Sequence, residues 1–175
     1  MNIFYLNSNP VLAAQMQCDQ HVVKMIMESA QLLSTAHRVL DGEKSADAMK
    51  LCKATHKNHP SAIWTRESHA NYHWLFAHMK ALMREYTYRY DKHHAYERLL
   101  DYLEVCPISL MNCDLPFTPP PQCMPDEYKN DDTVLAFQQY YVFEKITMSG
   151  GKGPQWNKTR EAPEWWRNNF IELSA

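Results

Sequence analysis

Residues 19–40 read DQHVVKMIMESAQLLSTAHRVL, and the fold turns on how this stretch is read. Val22, Ile26, Ala30, Leu33, Ala36 and Leu40 recur at the three-to-four spacing of a buried helical face. His21, Lys24, Glu28, Gln31, Thr35 and Arg38 keep the same rhythm and stack as a second, polar stripe beside it. Val23, Met25, Met27 and Leu32 flank that stripe. A carboxylate set among such apolar groups is partly desolvated, which raises its pKa towards the range useful for proton transfer. Two accounts stay open from this helix alone. Either Lys24 and Glu28 are an ordinary ion pair and His21 a core histidine, or the stripe is the floor of a site.

Outward from this helix the chain reads as mostly α. Ile3 to Leu6 is a short apolar run, a short strand or an extended segment tucked under helices. Asn9-Pro10 marks a helix start, with a break near Cys18 and a restart capped by Asp19. Asp41-Gly42 stops the long helix, and Glu43 to Lys53 reads as a short one. Thr55 to Pro60 is a loop, because the residue before proline disfavours helix. A single helix is expected from Ser61 to about Tyr90, with Trp64, Tyr72, Leu75, Phe76, Met79, Met83, Tyr86 and Tyr90 inward. Shorter helices follow at His93 to Val105, Thr133 to Met148 and Glu164 to Leu173. Residues 106–132 form a proline-rich loop laid over the surface, and residues 149–162 a basic, flexible one.

With 45 % hydrophobic residues over 175 positions, the chain has enough apolar surface for one self-sufficient core. The expectation is one all-α, compact domain over residues 1–175 with a short N-terminal extended segment. No run of eighteen apolar residues exists, and MNIFYLNSNP lacks the pattern of a signal peptide. Cys18, Cys52, Cys106, Cys113 and Cys123 are odd in number without a C-x-x-C pair, which points to reduced thiols and a cytoplasmic location. A formal net charge of −2 argues against tight nonspecific binding to nucleic acid but permits a local basic cleft.

Three constellations carry possible chemistry. The polar stripe is the first. The second is the N-terminus: an α-amine has an ordinary pKa near 8, low enough to act as a nucleophile at neutral pH, although many termini merely fray. Lys24, one turn from Glu28, is a reserve nucleophile. The third is Lys57-Asn58-His59-Pro60, which follows Lys50 and Lys53 and precedes Arg66, a setting suited to phosphate contacts or to a plain capped turn. Lys152, Gln155, Trp156, Asn157, Lys158 and Arg160 interleave basic residues with an aromatic, as a base-stacking flap does. Salt-sensitive contacts to the polymer are therefore expected from Lys24, Arg38, Lys57, Asn58, His59, Arg66, Lys152, Lys158 and Arg160.

These residues resemble the pyrimidine-dimer DNA glycosylase family, the phage endonuclease V type of repair enzyme and its bacterial relatives. The resemblance rests on the opening MNIFYL, on Asp19-Gln20-His21 with Glu28 seven residues later, on Lys57-Asn58-His59-Pro60 and on the run Glu85 to Arg89. It covers about the first ninety residues. It implies an all-α DNA repair glycosylase with AP-lyase activity on double-stranded DNA, needing no cofactor and no metal. In that chemistry the N-terminal amine attacks C1′ of the damaged nucleotide, an imine forms as the glycosidic bond breaks, and β-elimination nicks the strand. The family's glutamate falls on Glu28 and its histidine on His21. Asn2 is too large for efficient removal of Met1, so the amine is that of Met1. Two arginines of the family are replaced here by Met27 and Gln31.

Two other classes compete. His21, His37, His56, His59, His69 and His73 with Asp19 and Glu28 offer ligands for a metal-dependent hydrolase, and His69 and His73 are i,i+4. A non-enzymatic, phage-type binding or inhibitor protein would use Trp156, Trp165 and Trp166 as interface anchors.

Overall fold

The structure, a computed structural model, describes residues 1–173, so residues 174–175 of the expected domain lie outside it. Helix α1 (Pro10–Met16) starts as the sequence predicts, with Pro10 in the first turn and the Asn9 side chain accepting the amides of Val11 and Leu12. Helix α2 spans Asp19–Leu40. Its N-cap is Cys18, not Asp19. The Asp19 carboxylate is drawn away by Arg89 (3.0 Å) and by the backbone amide of Asn157 (2.7 Å). Val22, Ile26, Ala30, Leu33 and Ala36 are fully buried as their spacing requires, whereas Leu40, at the fraying end, is 36 % exposed. Truncating a side chain such as Ile26 to Ala costs about 2–5 kcal/mol in a packed core.

Helices α1 and α2 both pack on α5 (His69–Tyr90). The single helix expected over Ser61–Tyr90 is instead two, α4 (Pro60–Thr65) and α5. Ser68 breaks it by turning extended (φ −145°) so that its hydroxyl accepts the Asn71 amide at 3.0 Å. Asn71 then holds the Trp64 carbonyl and Thr118, closing the corner. The short α3 (Glu43–Ala48) follows Gly42, whose φ of +89° lets the chain reverse after α2.

The helix expected over His93–Val105 is a 3₁₀ stretch (Ala95–Leu99) running into α6 (Leu100–Leu103). The proline-rich segment crosses the surface with two isolated 3₁₀ turns, and Phe117 lies against Tyr5, Trp64 and Trp74. Helix α7 (Thr133–Phe143), capped by Asp132, ends five residues earlier than expected, in a 3₁₀ turn at Lys145–Thr147. The short α8 (Met148–Gly151) and α9 (Glu164–Leu173) complete the chain.

Among the described residues there is no strand. Ile3, Phe4, Tyr5 and Leu6 form an extended, buried segment under the helices, with the Leu6 carbonyl accepting the Gln138 side-chain amide of α7. The fold is all-α, and no described helix is long and apolar enough to cross a membrane.

Candidate active site

Where the extended N-terminal segment passes the first turns of α2, a cleft of about 300 Å³ opens. Its walls are Met1, Asn2, Phe4, His21, Lys24, Met25, Glu28, Lys145 and Met148. Phe4 stacks on His21 with ring centroids 4.3 Å apart and planes 14° from parallel. His21 Nδ1 is hydrogen-bonded to the hydroxyl of Tyr141 on α7. Burial, helped by the charges of Lys145 and Lys24, pushes His21 down to about 3. His21 is therefore a neutral, clamped imidazole at physiological pH.

Glu28 and Lys24 pair at 3.3 Å, with Glu28 12 % exposed and Lys24 59 % exposed. The carboxylate stays in the wall while the lysine leans into water. With its lysine in water, such an i,i+4 pair is worth less than about 1 kcal/mol, too little to prevent Glu28 from turning to another cation. Both accounts left open by the sequence thus hold in part: the ion pair exists, and it sits in a cleft.

The chain start is held by the N-terminus of α4. Met1 accepts the Ser61 hydroxyl through its carbonyl (3.2 Å), and its α-amine lies 3.5 Å from His59 Nε2. His59 is the N-cap of α4, with Nδ1 accepting the Ser61 amide at 3.2 Å. Its burial, the adjacent amine and His56 lower its pKa, against the opposing pull of Glu28. The neutral ring is thus fixed with its proton on Nε2, facing the amine. Asn2 Oδ1 is buried without a hydrogen-bond partner among the described residues, which leaves an acceptor on the cleft wall.

The other side chains selected from the sequence divide into two groups. Lys57, Asn58, Lys152 and Lys158 are exposed; Lys57 makes one loose contact with Glu43 at 3.8 Å. Arg66 is half-buried and donates to the Ala62 carbonyl. Arg38, by contrast, is sealed inside: its guanidinium donates to Glu43, Asp47 (2.8 Å) and the carbonyls of Cys52 and Leu51. The expectation of a phosphate contact there is corrected, because α3 and the segment after it cover the C-terminal half of the polar stripe. Thr35 is covered in the same way, receiving the Thr55 amide.

Arg160 is also committed, making two 2.8 Å bonds to Glu85 and lying over the Tyr88 ring. The segment expected to be a flexible loop is pinned by that pair, by Gln155 and Asn157 to Asp19, and by Trp156 to the Met16 carbonyl. At the centre of these ties is Arg89, fully buried, which joins Glu85 (2.7 Å), Asp19 (3.0 Å) and the Gln15 carbonyl (3.0 Å). Trp165 and Trp166 pack inward near Tyr141 and Trp156, so they are not the exposed anchors that a binding module would need.

Of the histidines and acids offered as metal ligands, only His69 and His73 come together, beside Cys106; the others are partnered elsewhere. His21 pairs with Tyr141, His37 with Asp41 and Tyr72, His56 with Thr55, His59 with Met1, and Asp19 with Arg89. Two cleft residues escaped the sequence reading. Lys145 comes from the 3₁₀ turn after α7, over a hundred positions from Glu28, and Asn2 from the chain start; neither sits in a local pattern.

An α-amine, a shielded carboxylate and a neutral histidine around one small cleft equip a helical protein for chemistry at an electrophilic carbon. Residues 1–98, which include every wall of the cleft except Lys145 and Met148, match the family model for pyrimidine dimer DNA glycosylase. The chain belongs to the pyrimidine dimer DNA glycosylase family, and with it to the DNA-binding repair glycosylases. No curated protein and no solved structure matches it.

Proposed function

We propose that this protein removes a damaged or modified base from double-stranded DNA and then nicks the strand, with the Met1 α-amine as nucleophile and Glu28 as the essential carboxylate. The amine nitrogen bonds to C1′ and gives up a proton. The glycosidic bond breaks, and the base leaves with the bonding pair and takes up a proton. The nitrogen lone pair then forms the C=N bond as the C1′–O4′ bond breaks and O4′ takes up a proton, and loss of a C2′ proton from this ring-opened imine expels the 3′ phosphate. Positive charge on the sugar needs a carboxylate nearby, and one such charge-stabilising group is commonly worth about 10²–10³ in rate.

The observation that carries the reading is the placement of Met1, Glu28 and His21 on one 300 Å³ cleft. Lys24 lines the same cleft and is the reserve nucleophile. A lysine amine ordinarily ionises about 2.5 pH units above an α-amine, so at neutral pH a few-hundred-fold less of it is free base. Lys24 also leans into water and pairs with Glu28, which favours Met1. Met27 and Gln31 stand where the family has arginines, so phosphate contacts fall instead to Lys24, Lys57, Lys145, Lys152 and Lys158. Asn2 Oδ1 offers an acceptor to the flipped nucleotide.

Borohydride trapping on a duplex with one abasic site tests the reading. A covalent adduct on the peptide that begins at Met1 is the expected result. An adduct on Lys24 would move the nucleophile within the cleft, and no adduct at all would refute the imine mechanism.

A further inference from the structure

His69 and His73 occupy the first turns of α5, their ring centroids 4.2 Å apart. Cys106 reaches the same place from the start of the proline-rich segment and is 4 % exposed. The ligand-capable atoms of the three residues all lie within 4.8 Å of one another. Among the described residues this is the one group of three His, Cys, Asp or Glu side chains with metal-binding spacing. Neither imidazole has a hydrogen-bond partner among those residues, although each presents two ring nitrogens.

The chain around Cys106 is held from several sides. Tyr72 donates to the Leu103 carbonyl (3.0 Å), and the Ile108 amide donates to Asp41 (3.0 Å). None of the three residues lines the cleft, and Cys106 lies outside the family match at residues 1–98.

We propose that His69, His73 and Cys106 form a binding site for a divalent cation of the zinc class, which ties the start of the proline-rich segment to α5. Two imidazoles and one thiolate are the donors such an ion takes, and a tetrahedral site wants them about 3.3–3.8 Å apart. Side-chain rotation of an ångström closes the difference. Binding forms one metal–sulfur bond and two metal–nitrogen bonds and releases the Cys106 thiol proton to solvent. Three protein ligands leave a fourth position for water.

The test is a titration of the metal-free full-length protein with cobalt(II) alone, followed by zinc(II). One equivalent of cobalt should raise a near-ultraviolet thiolate-to-metal band with visible d–d bands, and zinc should abolish both. Cys106→Ser should lose the thiolate band, while Cys113→Ser and Cys123→Ser keep it. His73→Ala should weaken cobalt binding by more than the about 10–100-fold typical of losing an outer partner, and it covers the case in which Cys106→Ser fails to fold. Zinc should raise the melting temperature of the wild type and not of His73→Ala. Absence of the band at saturating cobalt, or its survival in Cys106→Ser, would overturn the proposal.

Discussion

The α-amine of Met1 and Nε2 of His59 lie 3.5 Å apart, and the imidazole's other nitrogen already accepts the Ser61 amide. Neutral His59 therefore has only a proton to offer on the side of the amine. The pair can hydrogen-bond only with the amine as acceptor, so His59 positions the amine until that bond is released and the freed lone pair attacks. Removing the ring by His59→Ala should slow imine trapping by about tenfold, the worth of roughly 1 kcal/mol of hydrogen bonding. His59→Gln, which can again donate from its amide, should recover part of the loss. Equal trapping rates in all three proteins would separate His59 from the chemistry.

Glu28→Gln keeps the shape of the cleft and removes its shielded charge. Strand cleavage should fall by at least about 10²-fold, in line with the loss of one charge-stabilising group. Affinity for uncleaved duplex should stay nearly constant, since Glu28 repels phosphates and does not bind them. Gel-shift and single-turnover cleavage on the same preparation check both halves. A fully active Glu28→Gln protein would sink the mechanism.

The basic residues should separate by what already occupies them. Lys57 and Lys158 are exposed, so replacing either by Ala should lower the slope of log affinity against log salt by about one. Arg38 has its donors spent on Glu43, Asp47 and two carbonyls. Arg38→Ala should leave the slope unchanged and lower stability by about 1–3 kcal/mol, because the Cys52 and Leu51 carbonyls lose their donor.

The long helix α2 was legible because twenty-two residues carry two superposed stripes, and its apolar stripe is buried where the rhythm says. The spacing of His21, Lys24 and Glu28 placed them together because a helix does so without help from the rest of the chain. The fate of Arg38 was not legible, since a polar stripe does not say which half a later helix will cover. The break at Ser68 escaped for a related reason. Serine is tolerated inside helices, and here the corner is held by Asn71 reaching Thr118, forty-seven positions away. Lys145 joins the cleft by tertiary packing alone.

The D-Q-H element and the run Glu85 to Arg89 are distant in sequence but meet in one buried network through Asp19, Glu85 and Arg89. Arg160 joins it from the C-terminal segment. Breaking one member leaves an uncompensated buried charge, which costs about 3–5 kcal/mol. Arg89→Met should therefore shift the denaturation midpoint sharply and loosen the 155–160 segment, seen as faster proteolysis there. Unchanged stability would show that the network carries no weight.

Stability should also fall in mild acid, well above the carboxylate range. His78 is buried, with Nδ1 donating to the Pro10 carbonyl (2.9 Å) and Nε2 accepting the Gln17 amide (3.0 Å), so both nitrogens are used by the neutral ring. Burial pushes it down to about 4, opposed by the Pro10 carbonyl, and His21 lies at about 3. An unfolded histidine titrates near 6.5. Between about 6.5 and those lower values the unfolded chain binds protons that the folded chain refuses, so stability is full above 6.5 and declines as pH falls. For His78 alone the loss by pH 4 is about 3 kcal/mol, a large share of the roughly 5–15 kcal/mol that holds a domain together. Urea midpoints measured from pH 7.5 down to 4.5 should trace that decline. His78→Gln should start lower but fall less steeply, because one of the two silent histidines is gone, and an equally steep decline in the variant would remove His78 from the account.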